Sequence, residues 1–348
     1  MQKFYGLVLL IVMVPAVLLV NFYAWSGPQG FTTDLTRIGG FSEEDFGWSG
    51  TEYKFAERQV EHIGAGGVYE KYTDMVVFGD SFSQGDFNWA SYFVNATGLS
   101  AQVMHYDQGG IGRLVETGLY RSRPPRVVVF EILERMLMKV FRNAPVDCRL
   151  SDATVPLPVD FKPLNIPLLD YRRDVSRQYG DYKLAVKLLR NKLYLATGHA
   201  KKFKPRVTPL TVDSLFSSKN SDQLLYFKGD LEKVEWPDDI ASRTRCGFES
   251  IRERVEANGY TAFAVLLVPD KLSMYSPWLV DDSLAHLTLL DEEVITTMPH
   301  YLDVSAMATR EVEQGFVDFY LPGDTHWSSK GHRQVAQWMV ELFQADPL

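Results

Sequence analysis

The sequence contains little cysteine, and its histidines are scattered along the chain. Among 348 residues there are two cysteines and seven histidines. Because a structural zinc site needs several closely spaced thiolate or imidazole ligands, the pattern excludes the common zinc modules, and we expect neither a metal nor a cofactor. The chain also lacks an excess of positive charge, since its net charge is −8. Nucleic acid, whose phosphates require a basic face, is therefore excluded as a general partner.

Charged side chains are missing from residues 4–25, directly after Lys3. A helix of about 20 apolar residues reaches across a bilayer core. Residues 1–25 are therefore predicted to be an uncleaved membrane anchor, with a cleaved signal sequence as the alternative. The positive amino terminus would stay in the cytoplasm, so the rest of the chain is exported in both cases. With an anchor, the protein belongs to the inner membrane and its main domain to the periplasm.

The two cysteines, Cys148 and Cys246, fit an exported protein because disulfides persist in oxidising compartments. A bridge between them would close a loop of roughly 100 residues and stabilise the protein by about 4 to 5 kcal/mol in chain-entropy terms. We favour this bridge over the alternative of two buried free thiols.

Four apolar runs predict buried strands, at residues 75–78, 102–106, 126–133 and 261–268. The last two are nearly continuous in Val, Leu, Ile, Phe and Ala, which is typical of parallel strands covered on both faces. Helical periodicity separates the runs and follows the last one, at residues 89–96, 112–120, 241–258 and 283–293. The predicted fold is therefore α/β, a three-layer sandwich with a mainly parallel central sheet. This domain is expected to span residues 73–348, after a tether at 26–72 that packs toward the domain.

An insertion at about 142–238 interrupts the strand and helix alternation. It contains one helical stretch at 181–196, whose basic side chains include Lys183, Lys187, Arg190 and Lys192. We interpret them as a solvated helix face, with contact to lipid headgroups or to an acidic polymer as the alternative.

Two short motifs carry the predicted chemistry. Gly79-Asp80-Ser81 follows the first strand, and Gly323-Asp324-Thr325-His326-Trp327 precedes a final helix. A serine hydroxyl is a weak nucleophile until an imidazole accepts its proton and a third group orients that imidazole. Ser81, His326 and Asp324 are therefore predicted to be the nucleophile, the base and the orienting carboxylate. Asp80 is predicted to cap the helix that follows the serine turn.

These motifs, with glycines at 109, 110 and 112 after the second strand, resemble the sequence blocks of the SGNH hydrolase superfamily. The resemblance covers residues 73–142 and 259–343. The chain is more closely similar to exported polysaccharide O-acetyltransferases of the alginate type, through the Asp-x-His-Trp string, residues 131–135, and residues 268–271 followed by Tyr275. In those proteins the Asp-x-His string precedes the serine motif, whereas here it follows. A catalytic constellation is defined by geometry and tolerates either order.

The resemblance implies an O-acetyltransferase that decorates an exported polysaccharide and takes its acetyl group from a membrane-bound O-acyltransferase. The alternatives are a carbohydrate acetylesterase, because water competes for the same acyl-serine, and a carbohydrate-binding scaffold without activity. The oxyanion of the reaction needs backbone donors, for which the amides of Ser81 and of Gly109 or Gly110 are the candidates. Many SGNH enzymes add an asparagine after the third strand, where this chain has Leu133-Glu134-Arg135.

Four further residues are candidate substrate contacts, each with a structural alternative. Lys271 and Tyr275 follow the fourth strand and are expected near the mouth of the site, unless the lysine is merely solvated. Trp327 either forms a wall for a sugar ring or packs in the core. Arg135 either contacts substrate or, as we favour, pairs with Glu131 to hold the strand end.

Overall fold

The computed structural model describes residues 2–345 apart from 49, 58, 65–66, 86–87, 107–109, 152–153, 173–174, 200–203, 286 and 290–291. The chain is α/β, with a six-stranded parallel central sheet flanked by helices and one apolar helix at the amino terminus. The predicted α/β class, with a parallel central sheet flanked by helices, is confirmed.

The amino-terminal helix α1 consists of Gln2–Val8, a π-helical Leu9–Met13, and Val14–Trp25. Its segment Phe4–Trp25 is long and apolar enough to cross a membrane, and the same properties fit a signal sequence. The last turn of α1 packs on the rest of the protein. Ala24 is buried, its carbonyl accepts a hydrogen bond from the Gly180 amide at 3.0 Å, and Trp25 donates to the Tyr182 hydroxyl at 3.0 Å.

The remaining elements follow in chain order. The strands are β1 Thr51–Phe55, β2 Glu61–Ile63, β3 Met75–Gly79, β4 Ala101–His105, β5 Val127–Leu133, β6 Leu168–Arg172, β7 Pro205–Pro209, β8 Gln223–Phe227, β9 Ala262–Val268 and β10 Tyr301–Leu302. The helices are α2 Asp34–Gly39, α3 Glu43–Phe46, α4 Trp89–Thr97, α5 Gly110–Glu116, α6 Gly118–Ser122, α7 Leu137–Phe141, α8 Tyr182–Ala196, α9 Ile240–Glu256, α10 Lys271–Met274, α11 Glu293–Thr296, α12 Val304–Glu313 and α13 Ser329–Ala345.

The central sheet has the order β10-β9-β5-β3-β4-β2. Side chains of its middle strands alternate between two cores: Met75 and Val77 of β3 belong to one, whereas Val76 and Phe78 belong to the other. Helices α4 and α13 cover the first core, and α5, α6 and α9 cover the second. This coverage on both faces explains why the strands appear in the sequence as continuous apolar runs.

Strand order reverses at β3, because the chain passes first to β4 on one side and then to β5 on the other. In open α/β sheets, ligands bind at the carboxyl ends of the strands beside such a reversal. Ser81 follows β3 by two residues and therefore lies at this position.

Residues 26–72 are part of the domain and do not form a separate tether. Strand β2 is the edge strand of the central sheet, and it pairs with β4. Strand β1 pairs with β6 of the insertion, from Thr51↔Arg172 to Phe55↔Leu168. The predicted start of the domain at residue 73 is too late, because β1 and β2 are only partly buried and their mixed polar sequences contain no continuous apolar run.

The insertion likewise packs against the domain. Its hairpin β7–β8 is antiparallel, and Leu225 of β8 shares a buried cluster with Leu35, Phe41 and Phe46. A disulfide joins Cys148, at the start of the insertion, to Cys246 in α9. The predicted helix at 181–196 is confirmed as α8.

Candidate active site

The turn after β3 presents Ser81. The Asp80 carboxylate accepts a hydrogen bond from the Phe82 amide at 3.0 Å and so caps the 3₁₀ turn Ser81–Ser83, and it also accepts the Leu133 amide at 3.2 Å. Its capping role is confirmed, but on the serine turn itself, because the following helix α4 is capped by Asn88. Buried side chains pack so tightly beneath the turn that a Cβ on Gly79 would lie 2.5 Å from Ser83 Oγ and 2.6 Å from Glu131 Oε2. Glycine is therefore required at this position, and Ser81 is left exposed above the turn.

A buried acid supports this turn from below. Glu131 is fully buried, accepts a hydrogen bond from the Ser83 hydroxyl, and accepts the Asp80 amide at 3.3 Å. Burial, followed by the charge of Asp80, raises the pKa of Glu131 well above its usual range and so shifts its balance toward the neutral acid. In that form Glu131 can hold the serine turn without placing a second charge beside Asp80.

Ser81, His326 and Asp324 form a continuous chain of hydrogen bonds. The Ser81 hydroxyl lies 2.7 Å from His326 Nε2, and His326 Nδ1 lies 2.6 Å from Asp324 Oδ1. Since Asp324 is buried and accepts from Nδ1, it leaves the lone pair of Nε2 facing the hydroxyl. The His326 side chain remains 31% exposed. The three predicted residues thus have the relative positions that proton transfer from serine requires.

The charge around His326 favours its protonated form. Burial lowers the pKa of the imidazole, but the hydrogen bond to Asp324 and the charges of Asp324, Asp34 and Asp80 outweigh burial and raise it. An imidazolium that forms when Ser81 loses its proton is therefore stabilised by three neighbouring carboxylates.

Asp34 is the residue at this site that sequence reasoning missed. Its amide donates to Asp324 Oδ2 at 3.0 Å, and its carboxylate accepts the Thr325 amide at 2.9 Å and the Thr325 hydroxyl at 2.5 Å. The carboxylate also lies 4.0 Å from His326 Nδ1. Burial and the charge of Asp324 raise the pKa of Asp34 to about 6. The sequence signal at this position was Thr33 followed by Asp34, a capping residue and an acidic first-turn residue that together start a short helix.

Helix α2, which begins at Asp34, holds the catalytic loop through backbone amides. The amides of Leu35 and Thr36 donate to the Gly323 carbonyl at 3.0 and 3.3 Å. A Cβ on Gly323 would come within 2.5 Å of Thr33 Oγ1 and 2.8 Å of the Phe46 carbonyl, so only glycine permits this approach. The segment between the anchor and β1 therefore supports the base of the triad.

Lys271 also holds this loop and does not face substrate, contrary to prediction. It is buried, and its ammonium donates to the Leu321 and Pro322 carbonyls at 2.8 and 2.6 Å. Burial lowers its pKa to about 7. Tyr275 is buried as well, and its hydroxyl accepts the Tyr320 amide at 3.2 Å. Its predicted contact with substrate is wrong for the same reason.

Trp327 packs in the core, which was one of its two predicted roles. It is only 2% exposed, and its ring contacts those of Phe82 and Phe319 at centroid distances of 4.7 and 5.9 Å. The Phe82 ring in turn lies 5.1 Å from that of His326. The indole therefore supports the floor beneath the imidazole and forms no wall for a sugar.

Arg135 joins the insertion to the sheet. Its guanidinium lies 3.0 Å from Asp230 in the 3₁₀ segment Lys228–Glu235, so the favoured pairing with Glu131 is wrong. Lys233 of the same segment donates to Glu134 and Asp270 at 2.8 and 2.7 Å, with all three side chains buried. A largely buried arginine held by a carboxylate is not a free cation for substrate, and the insertion instead closes the carboxyl ends of β5 and β9.

The oxyanion donors remain a prediction. Gly110 opens helix α5 after β4, in a left-handed conformation with φ of 61°. Gly109 lies outside the described residues. Ser81 follows β3 and Gly110 follows β4, which is the parallel neighbour of β3. The amides of Ser81 and Gly110 therefore both lie at the carboxyl ends of these strands.

Asp34, Asp324 and His326 are also close enough to be considered as metal ligands. Asp324 Oδ1 and His326 Nδ1, however, are separated by 2.6 Å, which is a hydrogen-bond distance. A shared ion bonded at about 2.0 to 2.2 Å to each would hold these atoms further apart. The arrangement fits a proton-carrying pair better than a metal site.

A scan against protein-family models finds no match, and searches of curated proteins and of solved structures also return none. The geometry of these residues is therefore the main indication of what the protein does.

Proposed function

We propose that this protein is a serine-dependent O-acetyltransferase that moves an acetyl group onto hydroxyls of an exported polysaccharide. The observation that carries the proposal is the hydrogen-bond chain from Ser81 through His326 to Asp324. Its position beside the strand-order reversal of a parallel sheet agrees with the sandwich of the SGNH hydrolase superfamily. Neither a metal nor an organic cofactor takes part in the proposed chemistry.

The reaction would proceed in two halves. As Ser81 Oγ bonds to the acyl carbon of the donor, its proton passes to His326 Nε2, and the same proton then leaves with the departing donor oxygen. In the second half a sugar hydroxyl gives its proton to His326 and attacks the acetyl-serine, whose released Oγ recovers that proton. General base catalysis of this kind contributes roughly 100- to 10,000-fold. Backbone amides at the edge of β3 and β4 would hold the oxyanion in both halves.

Membrane retention is part of the proposal. The last turn of α1 packs on the domain through Ala24 and Trp25, contacts that a cleaved signal sequence would not maintain. Retained, α1 would be a single inner-membrane anchor for a periplasmic domain. A membrane-bound O-acyltransferase would then supply the acetyl group from the cytoplasm.

An acetylesterase is the second candidate, because Ser81 is exposed and His326 is partly exposed. Water that reaches an acetyl-serine would hydrolyse it with the same base. The two activities share the first half of the reaction and differ only in the acceptor.

One experiment separates these candidates. The full chain, purified in detergent, is incubated with an activated acetyl ester with and without oligosaccharides, and both acetate release and sugar mass are followed. Acetylated sugar that disappears in Ser81→Ala supports transfer. Acetate release without sugar product supports the esterase. If wild type and Ser81→Ala are equally inactive while both bind sugar, the protein is a carbohydrate-binding scaffold. Ser122→Ala, which changes an exposed serine whose hydroxyl donates to carbonyls of its own helix α6, is the matched control.

A further inference from the structure

Helix α8, in the insertion, carries a surface that the proposed chemistry does not use. It contains four cations, Lys183, Lys187, Arg190 and Lys192, and no acidic residue. Leu184, Ala185, Leu188 and Asn191 form its buried face and attach it to the domain. The helix is therefore anchored by one face, while most of its positive charge stays accessible.

The opposite face of α8 exposes apolar side chains. Val186 is 49% exposed and Leu193, two turns further on, is 60% exposed; Tyr182 begins the same strip at 44%. Lys183 and Arg190 flank it on the exposed surface. Single exposed apolar residues are common on proteins. A strip of them bordered by cations on one helix is typical of helices that lie in the membrane interface.

The position of α8 relative to α1 supports this interpretation. Tyr182 accepts a hydrogen bond from Trp25 and donates one to Asn21, both at 3.0 Å, and the Lys192 ammonium lies 5.2 Å from the Tyr23 ring centre. All these partners belong to the last turns of α1, whereas residues 4–19 of α1 are exposed throughout. Helix α8 therefore lies where the apolar segment ends, at the level of lipid headgroups if α1 spans the bilayer.

We infer that α8 docks on the membrane surface, with Val186 and Leu193 at the lipid boundary and its cations on anionic headgroups. The inference depends on the proposed membrane anchor. An acidic polysaccharide would satisfy the cations but offers no apolar phase for the strip, so lipid is the better partner. With α1 and α8 both attached, the domain could not swing about the anchor. The distance between Ser81 and the membrane would then be constant.

Fluorescent probes on the full chain test this docking. The native cysteines are joined to each other, so a single introduced cysteine can be labelled with an environment-sensitive dye. The labelled positions are Val186→Cys and Leu193→Cys on the strip, Phe22→Cys in the anchor, and Tyr260→Cys as the matched control. Tyr260 is 52% exposed and precedes β9, so it lies at the amino ends of the parallel strands, whereas Ser81 lies at their carboxyl ends. Each protein is reconstituted in phosphatidylcholine vesicles with or without phosphatidylglycerol and with headgroup nitroxide quenchers.

We expect the probes at 186 and 193 to shift to shorter wavelength and to be quenched in the anionic vesicles, while the probe at 260 is unchanged. Replacing one α8 lysine with glutamine should lower the ratio of docked to free helix about five-fold. High salt should weaken docking in the same direction.

Three results would overturn the inference. In the first, the probes at 186 and 193 behave like the probe at 260 while the probe at 22 is quenched. Docking of α8 is then refuted, whereas the proposed membrane anchor and the proposed Ser81 chemistry still stand. The probe at 22 could also remain unquenched, in which case docking fails together with the anchor. Finally, an acidic oligosaccharide rather than anionic lipid could change the probes at 186 and 193, which would make α8 a polymer site. Acetyl-ester turnover on the same samples reports Ser81 chemistry independently of all three.

Discussion

Asp34→Asn tests whether the carboxylate behind the triad acts on the base. The substitution keeps the shape of the side chain and leaves the Asp34 amide bonded to Asp324. It removes a negative charge 4.0 Å from His326 Nδ1. Two unit charges at this distance interact by about 1 kcal/mol in water and by about 4 kcal/mol at the effective dielectric of a protein surface. Because both side chains are partly exposed, we expect an effect near the lower limit, about 1 to 2 kcal/mol.

The imidazolium that forms in the transition state would lose this stabilisation, so turnover at its pH plateau should fall about 5- to 30-fold. The pKa of His326, which Asp34 helps to raise, should fall in the variant. Since the base must be neutral to accept the Ser81 proton, the acidic limb of the rate profile should move to lower pH. The variant therefore loses less activity in acid than at neutral pH.

The stability of the Asp34→Asn variant should not fall together with its activity. The pKa of Asp34 is raised to about 6, so its ionised form costs folding free energy above that pH. At about 1.4 kcal/mol for each pKa unit above an ordinary value near 3.9, this cost is up to about 3 kcal/mol at neutral pH and disappears below about pH 4. Asparagine removes the cost but weakens the contacts with Thr325. We therefore expect no decrease in Tm at neutral pH.

The assay measures kcat/KM for an activated acetyl ester across the acidic and neutral range, together with Tm at each pH. Asp45→Asn, a change of a surface carboxylate in the same amino-terminal segment, is the control. A uniform loss of activity with an unmoved acidic limb would refute the electrostatic role and leave only a structural one. Unchanged activity would refute both roles.

Three further outcomes are expected. Glu131→Gln should retain most stability at pH 7, because the raised pKa of Glu131 favours the neutral acid that glutamine imitates. Glu131→Ala should lower Tm, because it removes the acceptor beneath the serine turn. Equal losses of stability for the two variants in urea titrations would count against a neutral Glu131. Lys271→Met should destabilise by about 1 to 3 kcal/mol and lower turnover, since buried carbonyls lose their donor, and a variant with wild-type Tm and activity would contradict the role of Lys271 as a loop support. The double variant Cys148→Ser/Cys246→Ser should lower the free energy of unfolding by about 4 to 5 kcal/mol in denaturant titrations, and reduced wild type is the comparison. An unchanged unfolding midpoint would show that other contacts already hold the loop between the cysteines.

Local patterns were sufficient for the four inner strands of the sheet and for the triad residues. The strands at 75–79, 101–105, 127–133 and 262–268 agree with the predicted runs to within one residue at each end, because burial on both faces leaves a continuous apolar signal. Ser81 and His326 each belong to a short motif beside such an element. Strands β2 and β10 are too short to leave a signal, and the helix expected at 283–293 is replaced by a 3₁₀ turn at Asp282–Leu284 and the short α11.

The sequence by itself determined which residues could carry proton transfer and which segments form the buried sheet, since both depend on neighbours a few positions away. Only the tertiary structure decided what surrounds them. Asp34 meets Asp324 across 290 positions, and Lys271 reaches the loop before Asp324 across about 50. A lysine after a strand has the same sequence pattern whether it faces solvent or two buried carbonyls. Its role depends on which distant backbone packs above it, because burial and charge are properties of the folded surroundings.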